Sequence, residues 1–410
     1  MRPALPPGPY LVVGLARSGQ AVLRVLGDHA RGVDRKNGDD TPVALEGIRC
    51  VVKSPGVPQE APVIAAARER GIPVIGELEL AWRLLPNEFI AVTGTNGKTT
   101  TVELLGAIHR EAGLPSAVAG NVGTALSSLV GSIDPAAVVI CEASSFQLED
   151  TLEFAPEGAV LLNIAPDHLD RHGTFDAYLA AKLQIFARQG NDDVAVAPIG
   201  LEIEDLGGCA RRVCFGPGGE LDDRAGQLWW DEQPLIAHEE IRLRGVHNRA
   251  NAAAAAAIAL ARGIEPDAVR AALRSFAGVE HRLEEVATVA GVLYVNDSKA
   301  TNVDSTLVAL ASFDQPVHLI LGGGGKGQDF TPLRDPAARC AGVYLIGRDG
   351  PAIGEQIGTG IDCGDLATAV ERARAAAGPG EVVLLSPACE SYDQFDNYEH
   401  RGRVFKELVR

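Results

Sequence analysis

Short apolar, β-branched runs alternate with stretches of helical periodicity along almost the whole chain. That alternation predicts parallel sheets joined by crossover helices. Tyr10–Val13 reads as a strand, followed by a glycine turn, a helix from about Ser18 to Leu26 and a strand near Gly32–Asp34. Leu85-Pro86-Asn87-Glu88 ends this first unit. The second opens on the strand Phe89–Thr93 and runs through several strand–helix pairs. It holds a Gly- and charge-rich segment, about 190–244, expected to be irregular, and closes on the alanine-rich helix after Asn248. The third begins near Val279, with strands at Val292–Asn296, Val317–Leu321, Gly342–Ile346 and Glu381–Leu385. The expected class is α/β in three domains, 1–86, 87–278 and 279–410.

Composition narrows the partners more than the fold. A length of 410 residues exceeds one ordinary core. With 46% hydrophobic and 22% charged residues the chain reads as globular rather than disordered. A formal net charge of −17 argues against nucleic acid or an anionic membrane surface as partner. An anionic substrate would have to be held by local donors against that field. The opening MRPALPPGPYLVVG lacks a signal pattern and no apolar run is long enough to span a bilayer, so a cytoplasmic protein is expected. The seven cysteines are scattered and form no C-x-x-C pair; buried, reduced thiols are expected rather than a metal site or disulfides. Trp229 and Trp230 are expected to pack rather than bind.

The chemistry concentrates at Ile90-Ala-Val-Thr-Gly-Thr-Asn-Gly-Lys-Thr-Thr100, a strand, a glycine turn and a helix start. Gly94 and Gly97 let the backbone curl so that the N–H groups of Thr95, Asn96 and their neighbours face phosphate oxygens. The helix beginning near Lys98 adds its positive end. Lys98 supplies a full charge to the β/γ-phosphates, Thr99 a hydroxyl for Mg²⁺, and Thr100 continues the turn. The first glycine of G-x-x-x-x-G-K-[ST] is replaced by Val92, which makes the loop a variant and weighs against a kinase or GTPase.

Glu142 ends the apolar run Ala137–Cys141, a position from which a carboxylate can hold Mg²⁺. Asp167 and His168 follow the next strand, Gly158–Ile164, and reach the same sheet edge. Thr174 is a candidate N-cap for a helix carrying Lys182. Tyr178, Ile185 and Phe186 stand four before, three after and four after Lys182, so they share its face. If that face packs inward, desolvation depresses the amine pKa. A neutral buried amine can take up CO2 as a carbamate, turning a cation into a metal-binding anion. On spacing alone, a lysine snorkelling from a half-buried face fits equally well.

Thr93-Gly-Thr-Asn-Gly-Lys-Thr99, Gly120-Asn-Val-Gly123, Asp167-His168 and His247-Asn-Arg-Ala-Asn251 resemble the muramyl ligases and their relative folylpolyglutamate synthetase. Asn296-Asp-Ser-Lys-Ala-Thr-Asn302 and Leu385-Ser-Pro-Ala-Cys-Glu-Ser-Tyr-Asp-Gln-Phe395 are similar to the branch that adds D-glutamate to UDP-N-acetylmuramoyl-L-alanine. The resemblance implies a Rossmann-like UDP-binding domain, a central phosphate-loop ATPase domain with a parallel sheet, and a C-terminal Rossmann-like domain. It implies ATP, Mg²⁺ at two positions, an acyl phosphate, and a monomer. Lys98, Thr99 and Glu142 would then serve ATP and the first Mg²⁺, with His168 and carbamylated Lys182 serving the second. Asn248, Asn251, Arg282, Asp297 and Lys299 would border the nucleotide. Thr301, Lys326, Ser391 and Tyr398 would hold D-glutamate. Leu15, Ala16, Asp34, Arg35 and Gly56 would frame the UDP group, and Asn121, Gln147 and His168 would contact the muramoyl part.

Some expectations stay open here. Tyr398 lies in a stripe with Phe395, Gly402 and Phe405 that could be core. Tyr392 stands where a smaller apolar residue is expected. Val13-Gly-Leu-Ala-Arg-Ser-Gly19, with Asp34 twenty positions after Gly14, also suggests a dinucleotide fold, although Ala16 replaces the second glycine. An NAD-dependent oxidoreductase, a non-catalytic nucleotide-binding module, and the sister ligases are the alternatives.

Overall fold

A computed structural model describes the chain except Met1, Val122, Glu202, Glu204 and Lys326; Asp170 is described in its backbone only. The chain forms two compact units, Met1–Arg242 with His247–Phe276, and Leu243–Val246 with Ala277–Arg410. They carry three sheets, the first two within the first unit.

The first sheet contains β1 (Tyr10–Val13), β2 (Ala30–Val33), β3 (Cys50–Lys53) and β4 (Val74–Gly76), in the order β2-β1-β3-β4 and all parallel. β1 and β3 are buried along their whole length, as a parallel strand covered on both faces requires.

The second sheet contains β5 (Phe89–Thr93), β6 (Ser116–Gly120), β7 (Val138–Glu142), β8 (Gly158–Leu161) and β9 (Val194–Pro198). It continues through β10 (Arg211–Phe215), β11 (Leu221–Arg224), β12 (Gln227–Trp230) and β13 (Gln233–Ala237). The order is β13-β12-β11-β10-β9-β8-β5-β7-β6. The segment 190–244 is thus not an irregular insert. Strands β9 to β13 run through it, the last three forming an antiparallel β11-β12-β13 meander at the sheet's edge. Arg224 lies 4.6 Å over the Trp229 ring in that meander.

The third sheet contains β14 (Glu284–Val289), β15 (Val292–Asn296), β16 (Val317–Gly322), β17 (Gly342–Ile346), β18 (Ile361–Gly364) and β19 (Val382–Leu385), in the order β14-β15-β19-β16-β17-β18. Only β14 runs antiparallel to its neighbour.

Other boundaries also moved. The strand after Gly158 stops at Leu161, so Asp167 and His168 stand on a loop beyond it. The alanine-rich helix spans Val246–Ala261, and ten consecutive residues from Asn251 to Leu260 are buried within it. Ala is the side chain that lets a helix lie this close to a sheet without lost rotamer entropy. All seven cysteines are free, but only Cys50, Cys141 and Cys389 are buried; Cys209 is exposed. Tyr392 is 70% exposed and so perturbs no packing. Among the described residues, no helix is long and apolar enough to cross a membrane.

Candidate active site

β5 ends at Thr93 and the helix Lys98–Glu111 begins five residues later, with Gly97 at φ +87° as its N-cap. A Cβ at Gly97 would lie 2.1 Å from Asn251 Oδ1, so close approach as well as positive φ demands glycine. Asn251, held at 3.2 Å from Asn248 Oδ1, therefore packs directly on the loop from the alanine-rich helix. The other side is clamped by Asn163. Its Oδ1 accepts from Asn96 N at 2.9 Å, its Nδ2 donates to Asn96 O at 3.0 Å, and its carbonyl accepts from Thr95 N. Asn163 lies two residues past the end of β8 and was not singled out from the sequence. A polar residue just past the carboxyl end of a parallel strand was the available signal.

Lys98 Nζ donates to the carbonyls of Gly94 and Thr95, each at 2.9 Å, so its charge sits over the loop. Thr99 Oγ1 donates to Glu142 Oε2 at 2.8 Å, and Glu142 is 3% exposed. The carboxylate's other oxygen accepts from Asn121 Nδ2 at 3.1 Å. Gly120, just before it, passes so near Glu142 that a Cβ would meet its carbonyl oxygen at 2.3 Å.

The helix Phe175–Leu183 starts at Thr174, whose side chain accepts from Ala177 N as an N-cap. Lys182, Tyr178, Ile185 and Phe186 are all buried, so the shared face does pack inward. Lys182 Nζ donates to Gly94 O at 2.8 Å and lies 4.6 Å over the Tyr178 ring. Burial first, and the charge of Lys98 second, push its pKa down from 10.5 to about 7. Tyr178 ties the arrangement together: its hydroxyl is 3.1 Å from Thr95 Oγ1, and its ring lies 6.4 Å from that of His168. His168 is half exposed, lies tilted against the Phe146 ring at 4.8 Å, and has φ +52°. A non-glycine residue in that region costs about 1–2 kcal/mol, held here by the surrounding loop. Thr99, Glu142, His168 and Lys182 thus all project from segments at the carboxyl ends of β5, β7, β8 and the helix that follows.

A cavity of about 1140 Å³ opens between the first two sheets. Its lining includes Ala16, Arg17, Asp34, Arg35, Gly56, Asn121 and Gln147. Asp34 Oδ2 accepts from Leu15 N at 2.7 Å and Oδ1 from Lys36 N, and these backbone bonds hold its carboxyl below its ordinary range. Leu15 meets Asp34 through its backbone N–H, and its side chain turns against Gly32. Gln147 closes a capping box with Ser144, its side-chain carbonyl accepting from Ser144 N at 3.0 Å. The lining includes neither Leu15 nor His168.

In the second unit, Asp297 follows β15 and is 6% exposed. Ser386 Oγ donates to it at 2.8 Å and Leu283 N at 3.2 Å, yet burial pushes its carboxyl up to about 7. Lys299 Nζ stands 5.8 Å over the Tyr398 ring, and Tyr398 opens the helix Tyr398–Val409. Of that helical stripe, Gly402 and Phe405 are core while Tyr398 is half buried. Arg282 directly precedes Leu283, whose N–H bonds Asp297, and Thr301 follows Lys299 by two residues; Ser391 is buried with its carbonyl accepting from Phe395 N at 2.8 Å. Lys326 lies outside the described residues. Gly322 and Gly323 beside it pass within 2.1 and 2.3 Å, at a notional Cβ, of the Ile346 and Glu390 carbonyls. Arg401, unremarked in the sequence, is 1% exposed and donates to Ser298 O, Cys389 O and Glu390 O, binding the Asp297 and Ser391 segments into one surface.

Residues 92–259 match the Mur ligase middle domain, and residues 281–389 the Mur ligase glutamate ligase domain. The UDP-N-acetylmuramoylalanine–D-glutamate ligase of Anaeromyxobacter dehalogenans is 44% identical over 97% of this chain and 96% of its own length. That of Koribacter versatilis is 43% identical over 88% and 83%. Among solved structures, UDP-N-acetylmuramate-alanine ligase MurC from Thermotoga maritima shares the fold with a TM-score of 0.65 at 19% identity, covering 98% of each chain. MurF from Thermotoga maritima, in complex with ADP, gives 0.62 at 16%, covering 99% of this chain and 96% of its own. Matches of this extent displace the oxidoreductase reading of the first glycine turn. The chain belongs to the Mur ligase family, in its UDP-N-acetylmuramoylalanine–D-glutamate ligase branch.

Proposed function

We propose that the chain joins D-glutamate to UDP-N-acetylmuramoyl-L-alanine at the expense of ATP, releasing ADP and phosphate, in the synthesis of a peptidoglycan precursor. The observation that carries this reading is the hydrogen-bonded path Asn121–Glu142–Thr99. It links a cavity wide enough for a nucleotide-sugar to a phosphate loop, so the acceptor carboxylate and the phosphoryl donor meet across one buried carboxylate.

A carboxylate cannot form an amide directly, because oxide is a poor leaving group. The γ-phosphoryl therefore passes from ADP's terminal oxygen to the alanine carboxylate. The D-glutamate amine then attacks the acyl carbon, sheds a proton, and phosphate leaves with one former carboxylate oxygen. Loop amides, the helix start and Lys98 stabilise the charge on the transferring group. Thr99, Glu142, His168 and Lys182 would hold Mg²⁺, which when bound neutralises phosphoryl oxygens. Hydroxyl and carboxylate oxygens suit that ion, whereas an imidazole is the softer partner in the set. Lys182 suits the role only as a carbamate. As an ammonium it would sit buried beside Lys98, whereas a carbamate reverses its sign.

Asn248 and Asn251, with Arg282, Asp297 and Lys299 of the second unit, are assigned to the nucleotide. Thr301, Lys326, Ser391 and Tyr398 are assigned to D-glutamate. Leu15, Ala16, Asp34, Arg35 and Gly56 are assigned to the UDP group, and Asn121, Gln147 and His168 to the muramoyl part. The functional division follows 1–86, 87–278 and 279–410. The reading makes the protein a cytoplasmic monomer acting on small molecules, on the route that sustains cell shape and division.

Labelling the alanine carboxylate of the acceptor with ¹⁸O tests the acyl phosphate. One labelled oxygen should appear in the released phosphate and the other in the amide. Phosphate free of label would contradict the intermediate.

A further inference from the structure

Arg171 joins the cavity wall to the His168 segment through several contacts at once. It lies in the short helix Leu169–His172, three residues after His168. Nη1 donates to Pro55 O at 2.9 Å and Nη2 to Val57 O at 3.2 Å. Nη2 also pairs with Glu149, and the guanidinium lies 4.2 Å over the Phe146 ring. Its side chain is only 15% exposed.

Pro55 and Val57 belong to a turn of the first sheet that lines the cavity. The turn follows β3, whose last residue, Lys53, is fully buried and pairs with Asp150 at 2.6 Å. One end of the turn is thus pinned by Lys53 and the other by Arg171. The turn itself offers only carbonyls at Pro55 and Val57, so a forked donor with a fixed plane is needed to hold both.

We propose that Arg171 is a positioning residue for the nucleotide-sugar acceptor: it fixes the Ser54–Val57 wall of the cavity relative to the segment carrying His168. The inference rests on the ligase reading, since it assigns the cavity to the acceptor. Loss of the fork frees the wall and leaves the phosphate loop, clamped by Asn163 and Asn251, as it was. Acceptor binding should suffer and ATP binding should not.

The test is Arg171→Met in the full-length enzyme, which keeps the apolar stem against Phe146 and removes the donors. The KM for UDP-N-acetylmuramoyl-L-alanine should rise at least about tenfold, and the Kd for UDP, titrated alone, should weaken in step. KM values for ATP and D-glutamate should stay within about twofold. Arg171→Lys keeps the charge beside Glu149 without the fork, so it should recover melting temperature more fully than acceptor KM. Should the methionine variant not fold, Arg171→Lys decides by the same acceptor-to-ATP ratio. An acceptor KM within twofold of the parent, or an equal rise for all substrates, overturns the proposal. Failure of the ligase reading is separately visible, because the parent enzyme would then not turn over the acceptor at all.

Discussion

Lys98→Ala is expected to lower the rate of phosphoryl transfer by about a thousandfold or more, with acceptor binding nearly unchanged. Removing one neutral oxyanion donor typically costs about a hundred- to a thousandfold, and Lys98 brings a full charge. Its Nζ is held over the loop by two carbonyls, so the charge is in place before ATP arrives. Little reorganisation is then needed at the moment of reaction. The cavity is lined by other residues, which is why acceptor affinity should survive. Single-turnover ATP consumption, alongside UDP titration, checks both halves. A rate within tenfold of the parent would remove Lys98 from the reaction.

The second large effect is at Lys182. Lys182→Ala should nearly abolish turnover, and a short carboxylate such as acetate or formate should restore it at least about tenfold by standing in for the carbamate. The parent carries a pH dependence whose sign follows from the amine. Only the neutral form adds CO2, and burial with Lys98 nearby places its pKa at about 7. Carbamate formation should therefore rise from pH 6 to pH 8, since the neutral fraction falls tenfold per unit below the pKa. With ¹³C-bicarbonate, a carbamate resonance should appear in the parent and be missing from Lys182→Ala. Full activity in the unrescued variant would refute the role.

How far the sequence reached these sites depended on whether the signal was local. Gly97, Lys98 and Thr99 were legible because a strand, a positive-φ turn and a helix start are all written within a dozen residues. The buried face of Lys182 was legible from helical spacing, although the choice between a buried amine and a snorkelling one needed the packed structure. β14 and β18 went unread because edge strands such as Glu284–Val289 and Ile361–Gly364 are half exposed and carry no apolar run. β11 went unread for a different reason, because Leu221-Asp-Asp-Arg224 looks like a charged loop. The missed site residues act across long sequence distances. Asn163 reaches back to Asn96, Arg171 to Pro55, and Arg401 to Ser298. Arg401 in particular sits in a charge-rich helix that reads as solvated, yet it is fully buried. Periodicity ranks a residue's surroundings on its own element and carries nothing about a partner on another.

ADP release with UDP-N-acetylmuramoyl-L-alanine and ATP, compared across D-glutamate, L-glutamate and no amino acid, tests the central claim most directly. The account predicts sustained ADP formation, matched by amide product, with D-glutamate, and little with the other two. No ATP consumption with D-glutamate, or equal consumption in all three, would contradict it.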